Sequence, residues 1–409
     1  WFLARQGVKV VLCEKGYIAG EQSGRNWGWV RQQGRDPREL PMMIESNRIF
    51  ANLEHELGEN IGFRKSGCLY TATSEKDLQR YIDWLKIAEE FELDTKVIDS
   101  RTLSGIVDGV WPDVCGAMYT LSDGFAEPHK TTPAIARAAE REGATILTSC
   151  AVRGIESSAG RVSAVITEHG SIRTSVALCA AGAWTSIFCR SLDISVPQLR
   201  VRGTVARTEP VQKIVACSLW HKRIGIRPRD DGGYTVAHGS ILDHEITPST
   251  FRYATKFAKA LLQELEVLRI RVGKEFLKEW SIPRKWPLDK PSPFEKVRVL
   301  DPEPNQDVLK EIRINLDDVF PQLNGVEITE SWAGMVETSP DVVPIIGEAE
   351  NLSGFNVATG FSGHGFGIGP GAGKAIAAML TGIDNPIDLS PFRLTRFFDG
   401  TPIRPGSSI

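Results

Sequence analysis

Apolar positions recur along this chain with two periods, one helical and one of strands, and the switches between them outline the fold. Trp1 to Gln6 reads as the end of a helix that Gly7 stops. Val8-Lys9-Val10-Val11-Leu12 is short and rich in β-branched residues, as a buried parallel strand is, and runs into Cys13-Glu14. From Asp36-Pro37 a helical stripe takes over, carrying Leu40, Met43, Ile44, Phe50, Leu53 and Leu57. Residues 63–73 and 115–121 have strand patterns, and 75–92 has that of an amphipathic helix. A second helix–strand unit follows, with a helix from Ala134 to Glu142 after Thr132-Pro133, Gly143 as its stop, and Ala144 to Leu147 as strand.

Val152 to Ile155 and Val162 to Thr167 predict a hairpin about Ala159-Gly160, and Ser175 to Ala181 a further apolar strand into Gly182. Residues 200–241 alternate as antiparallel strands do, broken at Asp230-Asp231-Gly232-Gly233. Phe257, Leu261, Leu265 and Leu268 predict one face of a helix, and the Pro-rich stretch 283–304 predicts loops or edge segments. Phe355 to Ala358 is a strand, followed by a Gly-rich turn and a helix from about Gly371 to Leu380. Helix–strand units near the start, middle and end, with sheet-rich stretches between, imply an α/β chain. One domain built from three separated pieces, with a second inserted in two, explains that interleaving.

Composition narrows the classes. The 409 residues are 42% hydrophobic and 24% charged, which fits two or three globular domains able to enclose a large ligand. A net charge of −3 gives no general affinity for nucleic acid. The seven cysteines are odd in number and widely spaced, with no CxxC pair and no metal-ligand cluster, so reduced thiols, no metal and a cytoplasmic setting are expected. No apolar run approaches the ~20 residues of a spanning helix. A soluble protein is expected, with peripheral contact to a membrane surface left open.

Three segments carry candidate chemistry. A helix, a Gly, an apolar strand and a terminal acid form the second half of a dinucleotide-binding βαβ unit, in which Glu14 accepts hydrogen bonds from a ribose. The alternative is that Glu14 ends a surface strand. The first half of such a unit, a strand and a Gly-rich turn, is expected about 20 to 30 residues upstream and outside this chain. The loop Gly20 to Arg31 holds two Trp, two Arg, three Gly and an Asn, a composition that calls for something to cover the rings. Finally, Thr359 to Gly373 joins strand to helix with seven glycines, which lets backbone approach a flat ligand and offers helix N-terminal amides to a negative group.

Taken with Val10 to Glu14, Ser23-Gly24-Arg25-Asn26, Ala180-Ala181-Gly182-Ala183-Trp184 and Thr338-Ser339-Pro340-Asp341 before Pro344-Ile345-Ile346-Gly347, that turn resembles the D-amino-acid oxidase/dehydrogenase family of FAD-dependent oxidoreductases. The family includes glycine oxidase and sarcosine oxidase. The resemblance implies a discontinuous Rossmann-like FAD-binding domain over 1–63, 127–207 and 327–386. A substrate domain with a mixed, mainly antiparallel β-sheet covers 64–126 and 208–326, and 387–409 is a C-terminal tail.

The resemblance also assigns residues to FAD. Glu14 and Lys15 fall at the adenosine ribose, and Ser23, Arg25, Asn26 and Gly28 at the pyrophosphate and flavin edge. Val152 falls at adenine, or is simply a sheet residue. Ala181, Gly182 and Trp184 form the second contact near the ribose and pyrophosphate. Gly360, Phe361, Ser362, Gly363, His364, Gly365, Phe366 and Gly367 make the flavin-ring turn. His364 stabilises reduced flavin, assists amine deprotonation, or only bonds the turn's backbone.

Two departures from the family matter. Gly334 stands where sarcosine-oxidase-like members carry the Cys that tethers flavin, so FAD is expected to be noncovalent. Val336 stands where glycine-oxidase-like members hold the substrate carboxylate with Arg, so either the substrate lacks that group or another arginine, Arg31, Arg223 or Arg227, replaces it. Each of the three is otherwise an ordinary surface or ion-paired arginine. The implied reaction is oxidation of a small amine, an amino or imino acid, to an imine that water hydrolyses, with oxygen or a quinone as acceptor. Alternatives are a 2-hydroxy-acid or polyol dehydrogenase, and a non-enzymatic flavoprotein assembly factor. No nucleic-acid partner is expected, and the oligomeric state is open.

Overall fold

The computed structural model describes residues 1–108, 113–264 and 267–406. Its largest sheet is ten-stranded among those residues. In space the strands run Leu268–Arg271, Leu242–Glu245, Leu199–Thr208, Tyr234–His238, Ile224–Pro228, Ser218–His221, Cys68–Ala72, Gly116–Thr120 and Thr95–Asp99. Ile328–Thr338 also pairs with Leu199–Thr208, off this path. Most neighbours are antiparallel. Two pairs are parallel, Ser218–His221 with Cys68–Ala72 and Leu242–Glu245 with Leu268–Arg271. The alternation read from 200–241 thus belongs to a mixed sheet that also recruits a strand from near residue 70.

The smaller sheets bring distant segments together. Val11–Cys13 pairs in parallel with Thr145–Leu147, and Ala177–Cys179 with Phe355–Thr359. Parallel partners need long crossovers, and helices Leu40–Leu57 and Pro128–Arg141 lie in the first of them. The hairpin about Ala159-Gly160 is present as Val152–Ser158 against Arg161–Thr167, extended by Gly170–Arg173. Val11–Cys13 is parallel as expected but not buried: Val11 and Leu12 are exposed, because nothing among the described residues covers their free edge. Leu178, on the other strand with an open edge, is exposed too.

Three helical expectations need correction, and one helix was not expected. The helix expected from Ala134 starts at Pro128, which takes the first helical position after Glu127. The helix expected from Gly371 starts at Gly365, so the later glycines of the Gly-rich stretch are helical. Leu268 opens a strand instead of extending the helix Ala254–Gln263, and Leu265 lies outside the described residues. Helix Gln306–Val319 went unread although Val308, Ile312, Leu316 and Val319 line its buried face at helical spacing.

Close packing explains the helical glycines. Helices Gly365–Thr381 and Leu40–Leu57 share a core of Met42, Met43, Phe50, Leu53, Ile368, Ala372 and Ile376. Ser46 Oγ donates to Gly367 O at 2.5 Å and accepts from Gly371 N at 3.2 Å. A Cβ on Gly371 would run into Met42 O, whereas one on Gly373 would make only ordinary contact with the Phe2 ring, at 3.8 Å. Gly371→Ala is therefore expected to destabilise the fold by about 1–3 kcal/mol by overpacking. Gly373→Ala should instead stabilise it by about 0.5–1 kcal/mol through helix propensity. Denaturant unfolding of the two variants checks the opposite signs.

Candidate active site

A cavity of about 910 Å³ lies where these groups of strands meet. Its walls come from the loop 22–31, Gly182, strand Ile328–Thr338 and the 361–367 turn, with Tyr70 and Trp220 from the large sheet. Of the residues assigned to FAD, Ser23, Arg25, Asn26, Gly28, Gly182 and Phe361 through Gly367 line it. Glu14, Lys15, Val152, Ala181, Trp184 and Gly360 are not among its lining residues.

The loop is built from the inside. Asn26 accepts from Gly28 N at 2.8 Å through Oδ1 and donates to Gln22 O and Ser23 O, closing a tight turn. Gly28 has φ +80°, and a Cβ there would strike Ala126 O. Arg25 is fixed by Gly20 O, Ala333 O and Asp301. The rings of Trp27, Trp29, Tyr70 and Trp220 then form a chain with centroids 5.4, 6.3 and 5.4 Å apart. The expectation that something covers the two Trp of this loop is met by that chain and the cavity.

On the opposite side Gly182, φ +50°, is held by Gln198 Nε2, which donates to Gly182 O at 3.1 Å and to Thr359 Oγ1 at 2.8 Å. Three positive-φ residues, Gly360, Ser362 and Gly363, turn the chain from the strand into the helix Gly365–Thr381. The first turn of this long helix lines the cavity and presents amides to it.

Buried charge gives the cavity its chemistry. Arg35, 3% exposed, donates through Nε to Arg31 O at 3.2 Å, while its Nη1 has no hydrogen-bond partner among the described residues. Burial, with Arg31 beside it, lowers the Arg35 pKa to about 10. Arg31 donates to Gln33 O and lies 5.4 Å over the Tyr70 ring. Asp123 accepts from Gln32 N at 2.7 Å and Gln33 N at 3.1 Å, and burial raises its carboxyl to about 6 against those hydrogen bonds.

His364 Nδ1 lies 3.3 Å from Glu39 Oε2. Burial, reinforced by Arg35 and only partly opposed by Glu39, lowers the His364 pKa to about 4, so the imidazole is neutral at pH 7. Glu337 is buried too. Its Oε1 accepts from Phe361 N at 3.4 Å and its Oε2 has no partner among the described residues. Burial raises its carboxyl, with hydrogen bonding from Gln22 pulling partly back. Arg200, opposite it in the strand register, is taken up by Glu279 at 3.0 Å.

Two expected carboxylate holders lie elsewhere. Arg223 reaches Asn315 and Asp318 at the surface and is not among the lining residues. Arg227 spends all five N–H groups on Glu127, Trp27 O, Pro228 O and Thr235, so none is left for a ligand. Lys15 is bound to Glu21, Val297 O and Arg298 O and caps the Trp184 ring at 4.7 Å. Trp184 donates to Glu21, Val152 packs into a neighbouring core, and Glu14 accepts from Gly16 N at 2.7 Å. Sequence reasoning missed Arg35, Glu39, Asp123 and Glu337. Arg35 follows Arg31 by four residues in the same loop, the one signal that would have found it.

The FAD dependent oxidoreductase (DAO) family model matches residues 1–379. The chain belongs to that family. The mitochondrial sarcosine dehydrogenase of Mus musculus is 24% identical over 97% of this chain, which spans 40% of that protein's length. The sarcosine oxidase subunit beta of Rhodobacter capsulatus is 21% identical over 96% of this chain and 84% of its own. Among solved structures, the L-amino acid deaminase of Proteus myxofaciens in complex with anthranilate is 31% identical, with a TM-score of 0.92 over 97% of this chain and 90% of that one.

The residues present fit FAD. The glycine turns at 28, 182 and 360–363 admit close backbone approach, the Gly365–Thr381 N-terminus suits a negative group, and the Glu337 Oε2 needs an acceptor or donor from a ligand. One prediction follows from His364. Its folded pKa of about 4 lies below the ordinary 6.5, so the stability it supports is present above pH 6.5 and is lost as pH falls toward 4. The loss should reach about 3 kcal/mol, and in His364→Gln the unfolding free energy should be flatter across that window. Chemical denaturation of both proteins between pH 4 and pH 7 measures it.

Proposed function

We propose that this protein oxidises a small amine carrying a carboxylate, an amino or imino acid, with noncovalent FAD. The observation that carries the reading is the unpartnered Nη1 of buried Arg35 beside Arg31 in an aromatic-walled cavity. A buried guanidinium donor without a partner is costly, and a carboxylate satisfies it bidentately. Anthranilate, held by the P. myxofaciens deaminase, is an aromatic carboxylate and has the chemistry that this pair of walls would accept.

Bound FAD supplies the two-electron acceptor for the hydride that leaves the carbon bearing nitrogen. The protein's own residues orient and insulate. Arg31 and Arg35 fix the carboxylate, the rings from Trp27 to Trp220 exclude water and guide the side chain, and Val336 contributes apolar wall. His364, neutral at pH 7, leaves the positive field to the two arginines and presents a hydrogen-bonding ring instead of a charge. The amine must be neutral when hydride leaves, and the resulting imine is hydrolysed by water to a keto acid or aldehyde.

Gly334 lines the cavity and no Cys does among the described residues, which supports the noncovalent reading. The parallel pairs of Val11–Cys13 with Thr145–Leu147 and of Ala177–Cys179 with Phe355–Thr359 support a nucleotide-binding unit, and we assign 1–63, 127–207 and 327–386 to it. Seven free thiols support a reducing, cytoplasmic setting. The acceptor is oxygen or a quinone.

Two measurements test this reading. Acid precipitation of the yellow protein should leave flavin in the supernatant; flavin in the pellet means a covalent tether. Anaerobic titration should show flavin reduced by amino or N-alkyl amino acids and not by hydroxy acids. Arg35→Ala should raise the substrate Kd in that titration by about tenfold or more, which is about 1.4 kcal/mol, with Arg35→Lys recovering part. Arg31→Ala should act likewise with FAD content unchanged. Equal affinity in both alanine variants would remove the carboxylate assignment.

A further inference from the structure

Away from the cavity lining, three aromatic side chains and a leucine gather on the surface of the 248–280 segment. Phe251, 67% exposed, meets Phe276 edge-on at 6.4 Å, and Phe276 stacks on Trp280 at 6.0 Å and 15°. Trp280 is 71% and Leu277 68% exposed. Val272, in the turn leading into helix Glu275–Trp280, and Leu262, on helix Ala254–Gln263, are exposed as well. Single exposed hydrophobics are ordinary, but a contiguous cluster of rings and leucine marks a surface that something covers.

The charge around this cluster selects the occupant. Residues 248–285 contain nine Lys or Arg against four Asp or Glu, in a chain whose net charge is −3. Arg252, Lys259, Lys274 and Lys278 are exposed. Glu279 is engaged with Arg200 and Ser249, and Glu275 pairs with Lys278. Arg269, Arg271, Arg284 and Lys285 pair with Glu311, Asp243 and Asp193, which leaves Arg252, Lys256, Lys259 and Lys274 outside these ion pairs. Nearby, Lys256 lies 5.0 Å over the ring of Phe398, itself exposed. The core of a protein–protein interface is depleted of charged residues and especially of Lys. Exposed Trp, Phe and Leu set among exposed lysines and arginines are instead what a lipid headgroup layer takes, rings at the boundary and cations toward phosphate.

We propose that this face docks the protein on an anionic lipid surface, lying in the interface without crossing it. Among the described residues no helix is long and apolar enough to span a membrane, and the elements that carry the patch are short. Thr250, Ala254, Phe257 and Leu261 of the same helical segment wall the cavity, so docking sets lipid beside the elements that enclose it. The docking itself does not depend on the oxidation proposed above.

The test is sedimentation of the FAD-loaded full chain with phosphatidylcholine vesicles, with and without phosphatidylglycerol. Binding is expected only to the anionic vesicles and should weaken with salt. The Leu277→Ser/Trp280→Ser pair and, independently, the Lys274→Glu/Lys278→Glu pair should each weaken it about tenfold or more, at unchanged Tm and unchanged flavin reduction by soluble substrate. Wild-type protein that stays in the supernatant overturns the proposal, as does either folded pair binding like wild type. A wild-type dimer in solution that Leu277→Ser/Trp280→Ser splits would also overturn it, because the patch would then be a contact between copies.

Discussion

The cavity's walls depend on one buried ion pair. Arg227, on a central strand of the large sheet, and Glu127, just before the helix Pro128–Arg141, are both almost fully inaccessible and meet at 2.7 Å. Burial works against the Glu127 charge, yet the Arg227 guanidinium and its hydrogen bonds hold the carboxyl below its ordinary range. The same guanidinium grips Trp27 O at 2.6 Å, and Glu127 also accepts from Asp230 N at 3.0 Å. Sheet, helix and aromatic loop are thus pinned at one point. Removing one partner of such a pair costs about 3–5 kcal/mol because the other charge is stranded. This pair could not be traded for apolar packing without releasing the Trp27 carbonyl, which is the reason a polar solution suits the site.

With the loop fixed, the second constraint is the crowding of charge in an apolar space. Burial and the neighbouring Arg31 charge work against protonation of Arg35, Glu39 and Asp123 offset part of that, and His364 yields by losing its proton. Asp123, acting through the amides of Gln32 and Gln33, stiffens the segment that carries both arginines. Coulomb interactions in such a setting are several times stronger than in water. The carboxylate of the proposed substrate would relieve repulsion already present, so part of its binding energy would come from the site's own arrangement and not from new contact area.

Much of this was legible in order and type but not in depth. Local signals identified the strands at 145–147, 177–179 and 355–359, the hairpin about residue 160 and the glycine turn, because period and turn chemistry are written in neighbouring residues. They also picked Arg31 and the 361–367 turn, which line the cavity. Arg227 was singled out as well, yet only the fold shows that its donors are consumed by Glu127, a hundred residues away. Glu39 and Glu337 escaped notice because nothing local distinguishes a buried charge from a solvated one, and Arg35 left only its spacing from Arg31 as a signal. The helix boundaries at Pro128 and Gly365 slipped for a related reason. Glycine reads as turn in sequence, and only the neighbouring helix, whose Met42 carbonyl leaves no room for a Cβ at Gly371, makes it helical.

Net charge shows the same divide between a sum and its arrangement. A total of −3 gives the chain as a whole no strong pull toward a polyanion. Screening confines each charge's influence to about 8 Å at physiological salt, however, so a surface responds to the few residues it touches and not to the total. The stretch 248–285 concentrates cations beside Phe251, Leu277 and Trp280, while much of the balancing acid sits on other elements. The two halves of that stretch also have different neighbours. Its first helices turn Phe257 and Leu261 toward the cavity and its last helix turns Leu277 and Trp280 to solvent, so the piece of chain that walls the site also carries an exposed apolar face.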